Sequence, residues 1–140
     1  YYFNTEAHPV IQGTDNQWLE SGKTENLDAA IAGVKSLCPD GGTSLNAAFD
    51  VIRKLNPKPD SVVLLTDGLP TQGGSRKRGG TVTGEERLRL FNVAVKKLAS
   101  HVPINTFLFP VEGDPAAAAS YWELAILTNG SFITPSRDWP

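Results

Sequence analysis

Two groups in this 140-residue chain have the type and setting to do chemistry: the hydroxyl of Thr43 in Gly41-Gly42-Thr43, and the carboxylate of Asp67 in Thr66-Asp67-Gly68. Val62, Val63, Leu64 and Leu65 make a short unbroken apolar run, the pattern of a strand buried on both faces. Asp60 precedes that run and Asp67 closes it. In an open α/β sheet, ligands bind beyond the carboxyl ends of the strands, where Asp67 falls. A carboxylate held there needs a metal, a donor or a cation to face it. The Gly-Gly-Thr turn leads into a helix and can bring Thr43 to the same edge. A hydroxyl and a carboxylate from separate turns are hard oxygen ligands of the kind Mg²⁺ prefers, usually with waters retained. Simpler roles exist for both. Asp-Gly is a common turn pair whose carboxylate caps local amides, and Thr43 or Ser44 can serve as a helix N-cap.

The length suits one domain with its own core. With 20% charged residues and a net charge of −2 there is no domain-wide basic field, so nucleic acid is not expected as a partner. The apolar runs fall far short of the roughly 20 residues that span a bilayer. Cys38 is alone, which excludes a disulfide framework and a thiolate metal cluster; it is expected as a buried or half-buried small apolar residue. The sequence opens at Tyr1 and contains no Met. Its first residues read as a strand already under way and not as a signal peptide, so a processed or truncated chain is expected.

The elements that must position the site follow from periodicity. Residues 1–4 read as a strand, and Pro9-Val10-Ile11 as a brief edge strand. A polar loop over 12–22 carries Trp18 and Leu19, expected to pin it to the body. Thr24 is the expected N-cap of a helix whose Leu27, Ala30, Ile31, Val34 and Leu37 form a core-facing stripe. A second helix spans 45–55, with Leu45, Ala48, Phe49, Ile52 and Leu55 at helical spacing. After Asp67 comes a long loop, 69–84, with five glycines and the basic run Arg76-Lys77-Arg78. That run is expected to be solvated, with contact to an acidic partner as the sharper alternative. A helix over 85–100 runs through Leu88, Phe91, Val95 and Leu98, and a strand over 103–111 follows. Asp114, as N-cap ahead of Pro115, starts a helix to about Leu127 that stops at Asn129-Gly130, and residues 131–134 form a last strand. Trp122 and Phe91 are expected in the core, with Trp139 docking the tail. His8 and His101 have no spacing that suggests a metal or a catalytic dyad. Alternating helices and apolar strands argue a mostly parallel sheet covered on both faces.

Pro39-Asp40-Gly41-Gly42-Thr43-Ser44, the helix after it and Val63-Leu64-Leu65-Thr66-Asp67-Gly68 resemble the von Willebrand factor type A domain. Residues 104–110 and 125–133 are similar to that family's last two strands and the helix between them. The resemblance implies a Rossmann-like sheet with helices on both faces. It also implies a divalent cation (Mg²⁺, or Mn²⁺ or Ca²⁺) at a metal-ion-dependent adhesion site built from three loops. Thr43 would supply the hydroxyl of the second loop and Asp67 the carboxylate of the third, often through a water. The first loop is an Asp-x-Ser-x-Ser motif, and no match to it stands in this sequence. Asn4-Thr5-Glu6-Ala7-His8 has other residues, lies too close to Thr43, and reads as the end of the family's second strand. Residues 1–140 are therefore expected to form one partial domain lacking its first strand and helix. In the family that strand is central, between the second strand and the one bearing Asp67. Without it, rows of backbone groups lack partners. The strand then lies outside this chain, comes from another molecule, as in a strand-exchanged dimer, or the sheet closes over its absence. With Thr43 and Asp67 alone, cation binding is expected to be weak or absent.

The resemblance implies a protein–protein interaction or adhesion module and not an enzyme, in which a partner's acidic side chain completes the coordination. One alternative is a Mg²⁺-dependent phosphoryl-transfer enzyme with Gly41-Gly42-Thr43 as an anion-binding helix start. No P-loop Gly-Lys-Ser/Thr and no second nearby carboxylate support it. The other is a metal-free structural interaction domain.

Overall fold

The computed structural model describes residues 1–73, 81–98, 102–109 and 111–135. In chain order the elements are β1 (Tyr2–Phe3), β2 (Ala7–His8), α1 (Thr24–Lys35), α2 (Leu45–Lys54), β3 (Val62–Thr66), α3 (Gly84–Lys97), β4 (Ile104–Leu108), α4 (Ala117–Thr128) and β5 (Phe132–Ile133). β3, β4 and β5 form a parallel sheet in that order, with Val62 opposite Ile104 and Thr106 opposite Phe132. β1 and β2 form a separate antiparallel pair, Tyr2 opposite His8. The chain is thus an α/β protein with a small antiparallel ribbon beside a parallel sheet.

Side chains alternate along a strand, so Leu64, Ile104, Thr106 and Leu108 share one face. α2, α3 and α4 all pack on that face. Leu45, Phe49 and Ile52 from α2, Phe91 and Ala94 from α3, and Tyr121 and Leu124 from α4 join Leu64, Ile104 and Leu108 in one core. The Phe91 and Tyr121 rings meet edge to face, with centroids 5.2 Å apart. Ser44, rather than Thr43, caps α2, accepting from the Ala47 amide at 3.3 Å. Asn129, at φ 59°, gives α4 the left-handed stop expected of Asn129-Gly130.

Helices on both faces of the sheet are not what the described residues show. On the second face Val63 is 58% exposed and Leu65 59%. The Val-Val-Leu-Leu run is therefore not buried on both sides. The physical reason is a missing layer: among the described residues no helix covers that face, and β3 pairs with β4 alone. α1 forms where periodicity places it, yet buries none of its residues, and Leu27, Ile31 and Val34 stay exposed. An amphipathic pattern specifies a helix and its apolar side, but not that a neighbour exists to cover it.

Local expectations were corrected in several places. Thr24 lies inside α1, whose cap position is Lys23 with no side-chain bond. The second strand is Ala7–His8 and not 9–11; Pro9 has no amide proton to extend the pairing. On α3 the buried stripe is Leu90, Phe91 and Ala94, which turns Leu88 outward. β4 ends at Leu108, leaving Phe109 exposed, and Trp122 is exposed on α4. Cys38 is exposed as well. Trp18 does pin its loop, donating from Nε1 to the Pro57 carbonyl at 2.9 Å, while Leu19 faces solvent. Arg76-Lys77-Arg78, His101 and Trp139 lie outside the described residues. No described helix is long and apolar enough to cross a membrane.

The Ser44 hydroxyl both caps α2 and donates to the Gly73 carbonyl at 3.3 Å, in a buried setting. Ser44→Ala is expected to cost about 1–2 kcal/mol, read as a lower urea midpoint with an unchanged slope.

Candidate functional site

Three turns meet at the carboxyl end of β3. The first follows β1, the second is Gly41-Gly42-Thr43-Ser44 ahead of α2, and the third runs from Asp67 to Gly73. The Thr43 amide donates to Thr71 Oγ1 at 2.8 Å. The Thr43 carbonyl accepts from the Thr71 and Gln72 amides at 2.9 and 3.0 Å. Ser44 donates its amide to the Asn4 carbonyl at 2.6 Å, tying the same turn to the end of β1. Gly41 has φ +80°, a conformation that L side chains rarely adopt, which is why glycine stands there.

Thr43 and Asp67 line one groove. Thr43 is half-buried and Asp67 exposed. Among the described residues, neither the Thr43 hydroxyl nor the Asp67 carboxylate has a hydrogen-bond or ion-pair partner. Two oxygen donors without protein partners at one edge suit a hard cation that keeps most of its water. No group of three or more His, Cys, Asp or Glu side chains that could hold a metal occurs among the described residues. Any cation here would rest on the hydroxyl, the carboxylate and solvent. Asp40 and Asp60 are also exposed. The His8 ring packs against Tyr2 and lies 3.6 Å from the Glu6 carboxylate, an exposed local pair.

The turn bearing Asp67 is held from behind by residues that periodicity did not single out. The Asp114 carboxylate accepts the Leu69 amide at 2.6 Å and pairs with Arg87 Nη2 at 2.8 Å. Arg87 in turn donates from Nη2 and Nε to the Leu69 carbonyl, at 2.6 and 3.2 Å. The Tyr121 hydroxyl donates to the Gly68 carbonyl at 2.9 Å, and Thr66 Oγ1 donates to the same oxygen at 3.1 Å. A Cβ on Gly68 would lie 2.6 Å from Asp114 Oδ2 and 2.9 Å from Arg87 Nη2, so only glycine lets the pair close over the turn. Asp114 is therefore not the N-cap of α4, whose cap position is Ala116. Its carboxylate is spent across the fold instead.

A trace of this cluster was present in the sequence. Arg87, Leu90, Phe91 and Ala94 stand at i, i+3, i+4 and i+7, which puts a cation on the apolar stripe of α3. The partner, 27 residues on, carried no such mark.

Burial raises the Tyr121 hydroxyl above its usual range; the Thr66 hydroxyl opposes this, and the Asp114 and Asp67 charges add to it. The native state thus keeps the Tyr121 proton to higher pH than the unfolded chain does. This contribution to stability is complete below about pH 10 and is lost as pH rises above it. Resistance to urea is expected to fall above about pH 10, less steeply in Tyr121→Phe. Asp114→Ala leaves the Arg87 guanidinium without its counter-ion, bonded to the Leu69 carbonyl alone, and is expected to cost about 3–5 kcal/mol. The Leu69 amide, followed by hydrogen exchange, should lose its protection in that variant. Comparison with protein-family models, with curated proteins and with solved structures gives no match.

Proposed function

We propose that the chain is a protein-interaction module of the Rossmann-like, von Willebrand factor type A kind, and not an enzyme. Its contact forms at the carboxyl end of β3, where Thr43 and Asp67 hold a divalent cation, Mg²⁺ or else Mn²⁺ or Ca²⁺. An acidic side chain of the partner completes the coordination. One observation carries the reading: two turns far apart in sequence are bonded to each other, and each brings an unpartnered oxygen donor to the same groove. Asp67 contributes the charge and Thr43 a neutral oxygen, while the bonds from Thr71 and Gln72 fix the Thr43 backbone. Two protein donors leave several positions to water, so the cation alone binds weakly and a partner carboxylate adds a charged ligand in place of water.

Mn²⁺ titration followed by NMR tests this without knowledge of the partner. Amide signals around Thr43 and Asp67 are expected to broaden first, with the effect lost in Asp67→Ala and kept in Asp60→Ala, at the other end of β3. Thr43→Ala should weaken it severalfold. Broadening that survives Asp67→Ala, or none at these turns, would leave a metal-free interaction domain.

A further inference from the structure

Two side-chain amides lie against the Gly41-Gly42-Thr43 turn of the candidate site, and the fold's own bonding leaves their N–H groups unused. Asn4, just after β1, accepts at Oδ1 from the Glu6 amide at 3.1 Å and from the Thr5 hydroxyl at 3.3 Å. This fixes which way its carboxamide points, because only the oxygen can accept. Asn4 Nδ2 is then 3.7 Å from where a Cβ on Gly41 would stand. Gln72 comes from the turn after β3, and its backbone amide donates to the Thr43 carbonyl. Its side chain lies against Gly42: a Cβ there would meet Nε2 and fall 2.7 Å from Cδ and Cγ. Gly42, unlike Gly41, has no positive φ, so glycine stands there for the room it gives this carboxamide. Both Asn4 and Gln72 are half-buried. Among the described residues neither Asn4 Nδ2 nor the Gln72 carboxamide has a hydrogen-bond partner.

We propose that Asn4 and Gln72 are specificity-determining residues of this site, an assignment that rests on the cation contact proposed above. Their side-chain N–H groups receive the oxygen of the partner's carboxylate that the cation does not hold. A hard cation by itself takes any oxygen, whether of water, hydroxyl, amide or acid. Two carboxamide nitrogens bring several N–H donors to one turn, and such donors are met best by a group that only accepts. An ionised carboxylate is such a group, and a hydrogen bond to it is roughly twice as strong as one to a neutral acceptor. Phosphate also only accepts, but its larger charge is ordinarily met by guanidinium or ammonium groups. Among the described residues that bond to the 41–44 turn there is no Lys or Arg. Asn4 and Gln72 are each bonded to that turn through the backbone, to Ser44 and Thr43 respectively, so the donors are in place before the partner arrives.

The probe is a Gly-Asp-Gly peptide blocked at both ends, so that its side chain is its one carboxylate, with blocked Gly-Asn-Gly as the control. Both are titrated with Mg²⁺ present, and NMR follows the side-chain NH₂ signals of Asn4 and Gln72. Saturable shifts of both signals are expected with the Asp peptide, and binding about tenfold weaker or more with the Asn peptide. Asn4→Asp keeps the oxygen that the Glu6 amide uses and puts a charge where the donor was; it is expected to weaken Asp-peptide binding about tenfold or more. Gln72→Met, similar in length and without a donor, should weaken it severalfold. In both variants Mn²⁺ is expected to broaden the Thr43 and Asp67 amide signals as it does in the wild-type chain. The proposal is overturned, with the cation reading left in place, when Mn²⁺ broadens those signals but the Asp peptide does not bind saturably, binds no better than the Asn peptide, leaves the NH₂ signals unmoved, or binds both variants at full strength. Absence of Mn²⁺ broadening in the wild-type chain overturns the cation reading and this assignment with it.

Discussion

One buried carboxylate, that of Asp114, organises this molecule. Its side chain is 3% exposed, and it meets a backbone amide of the turn after β3 and a guanidinium from α3. An ion taken out of water is tolerated only when charge and hydrogen bonds replace its hydration. Here both do, and the replacement joins three separate parts of the chain. Arg87 brings α3, Leu69 brings the turn, and Asp114 brings the segment that leads into α4. Tyr121 adds α4 itself through the Gly68 carbonyl. From the turn the dependence runs outward: Thr71 and Gln72 fix Thr43, and Ser44 fixes the end of β1. The candidate site is thus positioned by polar contacts made behind it, while among the described residues its own two oxygen donors have no partner.

The apolar core is one-sided by comparison. Three helices cover one face of the parallel sheet, and the other presents Val63, Leu65 and Phe109 to solvent. Fully burying a Val or Leu side chain contributes about 1.5–3 kcal/mol, so the exposed halves of Val63 and Leu65 forgo about 1–2 kcal/mol apiece. The uncovered apolar stripe of α1 adds to that shortfall. Scattered exposed apolar residues are ordinary, but these lie beside a strand edge that no described strand pairs, a kind of edge that proteins usually blunt with charge, proline or a bulge. Between Val62 and Leu65 there is neither charge nor proline.

Much of this was legible in the chain itself. The Val62–Thr66 strand, the helix after Ser44 and the Asn129 stop were fixed by local signals: an apolar run, a capping hydroxyl and a residue that tolerates positive φ. The convergence of the Thr43 and Asp67 turns followed from helix–strand order, since both lie at the same end of the sheet. What could not be read was whether a neighbour existed. α1 has a faultless apolar stripe and buries nothing, because periodicity records only which side would be buried. Asp114 misled for a related reason. Asp followed by Pro is a strong helix-start signal, yet a long-range pair to Arg87 and Leu69 uses the same oxygen more fully than a cap would.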